Sequence, residues 1–134
     1  MIIRTSLSLL YIEPSEKTPA EPLIDIVTRK MTAALRAYKQ TGILHRDGSF
    51  AVGAATRGWH SCRCGNASSS NEDFVLSNGL ITNSMCIHYV ACHREEIDQS
   101  VIDQIMAFTD GEADPTENEL AGRIWLDEHY KNKE

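Results

Sequence analysis

All four cysteines and three of the five histidines of this chain lie in two short stretches. Residues 58–65 read Gly-Trp-His-Ser-Cys-Arg-Cys-Gly, and residues 85–94 read Met-Cys-Ile-His-Tyr-Val-Ala-Cys-His-Arg. Thiolate and imidazole are the groups that bind zinc in tetrahedral sites, and a strand-turn followed by a helix is a common way to present them. The sequence therefore predicts a metal-site segment over residues 58–94.

The first stretch has the spacing of a strand that ends in a turn. Side chains two residues apart in a strand point to the same face, so His60, Cys62 and Cys64 share one face. Gly65 follows directly and lets the backbone turn sharply, with its amide free to donate to a thiolate sulfur.

The second stretch has the spacing of a helix. His88 and Cys92 are four residues apart and stack on one face. His88 and His93 are five apart, roughly 140° around an ideal helix, so this pair can bind one ion only if the last helical turn loosens. The His-x₃₋₅-His spacing of zinc fingers permits such an arrangement.

These patterns predict a Zn²⁺ site with alternatives for its fourth ligand. The first choice is Cys62, Cys64, His88 and Cys92. The substitutes are His93 in place of Cys92, and His60 in place of one helix ligand. Cys86 points away from the His88 face and is predicted to be a small buried core residue, as free cysteines often are.

The length of 134 residues fits one domain, residues 1–134, and 42% apolar residues can build a core without metal. A strand is predicted first, then a helix, further strands and further helices. This order indicates an α+β fold: a small antiparallel sheet, made of an N-terminal strand and two hairpins, packed with about four helices.

The individual elements follow from periodicity and from capping or turn residues. A polar loop over residues 66–73 separates the two hairpins. The predicted elements are a strand over Ile3–Ile12, a helix from the Thr18–Glu21 capping box to near Gly42, hairpins turning at Asp47-Gly48 and Asn78-Gly79, and helices over Met85–Glu95, over Asp98–Phe108 and from the Thr116–Glu119 capping box onward.

The formal charge is −6 and the sequence pI is about 5.3. A general nucleic-acid binder normally has a basic face, so this class is not expected. An acidic surface fits a basic protein partner, or serves solubility alone. No apolar run is long enough to span a membrane, and the N-terminus is interpreted as a strand rather than a signal peptide. We therefore expect a cytoplasmic protein whose cysteines are ligands, core residues or reactive thiols rather than disulfides.

The block Cys62–Gly65, Thr82-Asn83-Ser84 and His88-Tyr89 through His93-Arg94 resembles small uncharacterised bacterial proteins. The resemblance covers roughly the middle third of the chain and implies no activity or partner. The His-x-Glu and Pro-Cys-x-x-Cys pieces of zinc deaminases are absent, as are a His-Glu-x-x-His motif and a nucleophile elbow.

Three functions remain in competition, with an enzyme ranked below a non-catalytic protein. The first is a zinc-bearing binding or regulatory module, for example an immunity-like or antitoxin-like protein that meets a basic partner. The second is a zinc hydrolase with three protein ligands, a bound water and His60, His93 or Glu95 as general base. The third is a redox switch at the two thiols of Cys62-Arg63-Cys64.

Overall fold

A computed structural model describes residues 2–4, 9–10, 21–38, 40–44, 49–52, 62, 64 and 73–131. Six strands form one sheet in the order β1-β4-β3-β5-β6-β2. Because strands and helices are both present and follow in largely separate runs, the α+β prediction is confirmed. The strands are β1 (Ile2–Arg4), β2 (Leu9–Leu10), β3 (Gln40–Leu44), β4 (Ser49–Val52), β5 (Asp73–Val75) and β6 (Ile81–Asn83).

Both predicted hairpins are present as strand pairs. Strands β3 and β4 pair antiparallel with Leu44 opposite Phe50, and the Asp47-Gly48 turn between them lies outside the described residues. Strands β5 and β6 pair antiparallel with Val75 opposite Ile81. Gly79, in the turn between β5 and β6, has a φ of 88°, a conformation that glycine adopts without steric cost.

The N-terminal strand differs from its prediction. Instead of one strand over Ile3–Ile12, the structure has β1 at one edge of the sheet and β2 at the other. The pairings make β1 and β2 run in the same direction, and the β2–β6 pair is parallel, so the sheet is not purely antiparallel. Residues 11–12 lie outside the described residues.

Chain connectivity requires this sheet to be strongly curved. The Cα atoms of Arg4 and Leu9 are five residues apart and can be separated by at most about 19 Å. The two edges of a flat six-stranded sheet would lie about 24 Å apart. The two edges must therefore lie closer together than in a flat sheet.

The helices are α1 (Ile26–Arg36), α2 (Cys86–Cys92), α3 (Gln99–Met106), α4 (Glu117–Leu120) and α5 (Glu128–Lys131), with 3₁₀ turns at Arg94–Glu96 and Ile124–Leu126. The predicted bounds of α1 were wrong at both ends. The Asp25 carboxylate caps α1 by accepting a hydrogen bond from the Thr28 amide, and the residues that were expected to end the helix belong to β3.

Helix α4, which begins at the predicted capping box, is shorter than the sequence pattern indicated. The predicted capping box is confirmed: the Thr116 side chain accepts from the Glu119 amide, and the Glu119 carboxylate accepts from the Thr116 amide. The helix ends after one turn because Gly122 adopts a φ of 74° and the Arg123 amide bonds back to the Asn118 carbonyl, a Schellman-type termination.

Helix α1 packs against both α2 and α3. Its buried face joins α2 and the β5–β6 hairpin in one hydrophobic core, in which Met31, Leu35, Leu80, Ile87 and Ile105 are almost completely inaccessible. Among the described residues, no helix has the length and apolar character needed to cross a membrane.

Candidate metal centre

Four donor atoms from the two Cys/His stretches converge at one point. The Sγ atoms of Cys62 and Cys64 and ring nitrogens of His88 and His93 all lie within 4.8 Å of one another. Cys62 Sγ is 3.5 Å from His93 Nε2, Cys64 Sγ is 3.4 Å from His88 Nε2, and the two Nε2 atoms are 3.2 Å apart. The arrangement can hold a metal ion, as the sequence pattern predicts.

The two histidines come from different backbone conformations. His88 lies in the middle of α2, whereas His93 follows the last helical residue with φ of −130° and ψ of 34°. Because the helix ends at Cys92, the ring of His93 can turn towards His88, and the ring centroids lie 4.9 Å apart. The loosened last turn that this pair requires is therefore present.

The cysteines lie in the long connection between β4 and β5, of which the structure describes Cys62 and Cys64. Cys62 is 4% exposed and Cys64 is partly exposed. The site thus joins the middle of this connection to the end of α2.

His88 has a backbone hydrogen-bond partner behind it. Its Nδ1 atom lies 3.0 Å from the carbonyl oxygen of Leu120, in α4. A carbonyl oxygen only accepts, so Nδ1 carries the proton and donates, and the lone pair of Nε2 points to the other three donors. This is the tautomer that metal binding through Nε2 requires.

His93 has a carboxylate beside its other ring nitrogen. Its Nδ1 atom lies 3.3 Å from Glu96 Oε2. When the ring proton is on Nδ1, it faces this carboxylate and the His93 Nε2 lone pair points into the cluster.

The Nε2 atoms of His88 and His93 lie 3.2 Å apart, a contact in which the donor is set by the tautomers of the two rings. A metal ion needs the lone pair of each Nε2 atom, so with metal bound both ring protons would lie on Nδ1. In the metal-free protein, the thiols of Cys62 and Cys64 are placed to donate to His93 and His88, respectively. A metal ion would replace both thiol protons and bind all four donors at once.

Burial favours the uncharged forms of His88 and Cys62. Burial and the neighbouring His93 lower the pKa of His88 to about 4, although its bond to Leu120 opposes the shift. Burial, together with the adjacent Cys64 thiol, raises the pKa of Cys62 to about 11. His88 and Cys62 are thus uncharged at pH 7 and poorly solvated, a setting in which a bound cation attracts a sulfur strongly.

The fourth donor differs from the first choice made from sequence. His93, the named substitute, lies in the four-residue group, and Cys92 does not. Cys92 is partly exposed, and burial, then the nearby Cys64 sulfur, raises the pKa of its thiol. Helix periodicity favoured Cys92, but α2 ends there and the following residue turns inward. His60, the other substitute, lies outside the described residues.

One further prediction and two unpredicted partners concern residues around the site. Cys86 is completely buried in the core, as predicted. Sequence reasoning did not identify Glu96 or Leu120 as partners of the histidines. The His93–Glu96 spacing of three was a usable signal, because side chains three apart align in a 3₁₀ turn. Nothing in the sequence marks the Leu120 carbonyl, which is brought to His88 by tertiary folding.

Helix α1 holds both segments that support the histidines. At its start, Asp25 forms a bidentate ion pair with Arg94, the residue after His93. At its end, Arg36 forms a bidentate ion pair with Glu119, the residue before Leu120. The positions of both imidazoles are therefore fixed relative to one helix.

A comparison with protein-family models gave no match, and neither the curated proteins nor the solved structures gave a significant one.

Proposed function

We propose that this chain is a cytoplasmic zinc protein in which Cys62, Cys64, His88 and His93 hold one structural Zn²⁺, and that it acts as a binding module for a basic protein partner. The observation that supports the zinc site best is the spacing of its donor atoms. All four cysteines are free of disulfides, which fits a reducing compartment.

Three of the six distances between donor atoms are close to the edges of a zinc tetrahedron. Zn–S bonds of about 2.3 Å and Zn–N bonds of about 2.05 Å imply S···N edges of about 3.6 Å and an N···N edge of about 3.3 Å. The corresponding distances here are 3.5, 3.4 and 3.2 Å. Two thiolates and two imidazoles are also a donor set typical of zinc, and two thiolates balance its charge.

Four protein donors favour a structural over a catalytic role. A zinc hydrolase leaves one position for water, and here His93 would fill that position. A site in which the protein supplies all four ligands would link the β4–β5 connection to α2.

Elemental analysis of protein purified without added metal tests the zinc site. We expect one zinc per chain in the wild type and in a Cys86→Ala control, whose residue is buried in the core away from the donors. We expect none in Cys62→Ser or Cys64→Ser. Well-folded wild-type protein that contains no metal and takes up none from a zinc solution would overturn the proposal.

The distribution of charge supports the choice of a basic partner. Residues 95–122 contain nine Asp and Glu and no Lys, Arg or His, whereas the whole chain has a net charge of only −6. Most of these carboxylates are exposed, and Glu119 is the buried exception. Such a one-sided field increases the rate of encounter with a positively charged protein. An immunity-like or antitoxin-like protein that neutralises a basic toxin is one concrete form of this function.

The partner is tested by affinity purification from the native host with three baits. The wild type should retain a basic protein that elutes as salt rises. A variant with Glu112, Asp114 and Glu117 changed to Gln, three exposed carboxylates outside the site, should retain less of it. A variant with Glu21→Gln, exposed and outside this segment, should match the wild type. Recovery of no specific protein, or equal recovery by all three baits, would contradict this part of the proposal.

A further inference from the structure

We infer that Glu96 is a positioning residue that sets the zinc affinity of this site through His93. The inference rests on the proposed zinc site and deepens it, since it concerns how tightly that site holds its ion.

The local backbone brings the Glu96 carboxylate next to the His93 ring. Residues Arg94–Glu96 form a 3₁₀ turn with His93 as its N-cap, and the Glu96 amide donates to the His93 carbonyl at 3.0 Å. The Glu96 carboxylate consequently reaches His93 Nδ1 at 3.3 Å, while the His93 side chain is 4% exposed. Glu95, one residue earlier, is rotated by about 120° in such a turn and points elsewhere.

The contact has two separable effects on the imidazole. As an acceptor, the carboxylate fixes the proton on Nδ1 and the lone pair on Nε2, which faces the other donors. As a negative charge, it makes the imidazole a stronger electron donor and offsets the charge of a bound cation. The Glu96 side chain is 35% exposed, so solvent weakens the second effect without removing the first.

His88 provides a natural comparison within the same site. Its Nδ1 atom donates to the neutral Leu120 carbonyl, which orients the ring but adds no full charge. The two imidazoles would therefore differ in donor strength, with His93 the stronger because of Glu96. A change at Glu96 should alter the signals of His93 and leave those of His88 in place.

The test measures zinc affinity by competition with a chromophoric chelator in full-length wild type, Glu96→Gln, Glu96→Ala and Glu95→Gln. Glu96→Gln keeps an acceptor and loses the charge, and Glu96→Ala loses both. Glu95→Gln removes the same charge one residue away and serves as the matched control. We expect roughly tenfold weaker binding for Glu96→Gln and a larger loss for Glu96→Ala, in line with other outer partners of metal ligands. Glu95→Gln should stay within about twofold of the wild type.

A second readout separates positioning from general stability. In the zinc-loaded protein, the ¹⁵N signal of His93 Nδ1 should move in both Glu96 variants while that of His88 Nδ1 stays in place, and the zinc-free forms of both variants should remain folded. Equal zinc affinities for Glu96→Gln and Glu95→Gln, with the wild type binding normally, would overturn this inference alone. A wild type that binds no zinc would overturn it together with the proposed function.

Discussion

The Nε2 atoms of His88 and His93 lie 3.2 Å apart, while His88 Nδ1 lies 3.0 Å from the Leu120 carbonyl oxygen and His93 Nδ1 lies 3.3 Å from a Glu96 carboxylate oxygen. Neither ring can turn its Nε2 atom away from the cluster without losing the contact of its Nδ1 atom. The two imidazoles are therefore held in the orientation that binding a common cation needs, and the two thiols complete the set.

The choice between His93 and Cys92 can be tested by paired substitution. His93→Gln should reduce zinc affinity by at least about a hundredfold, because it removes one of four ligands. Cys92→Ser should keep the stoichiometry and the tetrahedral Co²⁺ absorption spectrum of the wild type. If the Co²⁺ absorption of Cys92→Ser instead falls below that of a site with two thiolates, Cys92 is favoured as a ligand.

The four thiols should differ in alkylation by iodoacetamide. Cys92 is partly exposed and outside the donor group, so it should react first in zinc-loaded protein. Cys86 should not react until the protein unfolds, because it is fully buried and burial raises its pKa to about 12. Cys64, the more exposed of the two donor sulfurs, should become reactive after chelation.

Mass spectrometry of tryptic peptides, with and without a chelator, measures each site. Rapid modification of Cys62 and Cys64 in zinc-loaded protein would contradict the prediction, because coordinated sulfurs are shielded.

Substitution of Glu119 should destabilise the fold strongly. Its carboxylate is completely buried and accepts from Arg36 and from the Tyr130 hydroxyl at 2.7 Å. Glu119→Gln leaves Arg36 without its charged partner, so the free energy of unfolding should fall by roughly 3 kcal/mol. Tyr130→Phe removes one hydrogen bond and should cost about 1–2 kcal/mol.

The matched control is Glu117→Gln, in the same helix but exposed. It should change the free energy of unfolding by no more than about 0.5 kcal/mol. Urea unfolding at one fixed zinc concentration measures all three variants, because free zinc itself stabilises the folded state. Equal stabilities for Glu119→Gln and Glu117→Gln would show that the buried ion pair does not hold the C-terminal segment.

The same carboxylate predicts a dependence of stability on pH. Burial raises the pKa of Glu119, but hydrogen bonds from Arg36, Tyr130 and the Thr116 amide outweigh it, so the net pKa lies below its ordinary value of 4.5. With a lowered pKa, the unfolded chain binds the proton more readily than the folded one. The stabilisation is therefore complete above pH 4.5 and is lost as pH falls through the folded-state pKa.

The measurement is the difference in unfolding free energy between wild type and Glu119→Gln as pH is lowered. Both proteins keep the same metal donors, so acid release of zinc affects both and largely cancels. The difference should be constant near neutral pH and shrink below about pH 4.5. A difference that persists unchanged into acid would contradict the lowered pKa of Glu119.

Local patterns in the sequence predicted several secondary-structure elements and the segment that contains the metal donors. The alternation around Asn78-Gly79 predicted the β5–β6 hairpin, the Thr116–Glu119 capping box predicted the start of α4, and the paired Cys/His stretches predicted a metal-site segment that the four-donor cluster now occupies. These features depend on residues close together in the chain, whose periodicity and side-chain chemistry are readable without a fold.

The choice of the fourth donor and the contact between Leu120 and His88 depended on tertiary structure. A helical pattern could not show that α2 ends at Cys92, and that end brings His93 rather than Cys92 into the donor group. Nor could it show that the Leu120 carbonyl meets His88, since backbone acceptors have no sequence signature and this contact spans 32 residues. The sequence determined which side chains were available to bind a metal. Packing of α1, α2 and α4 decided which of them meet, because the positions of the donors depend on distant contacts such as Arg36–Glu119 and Arg94–Asp25.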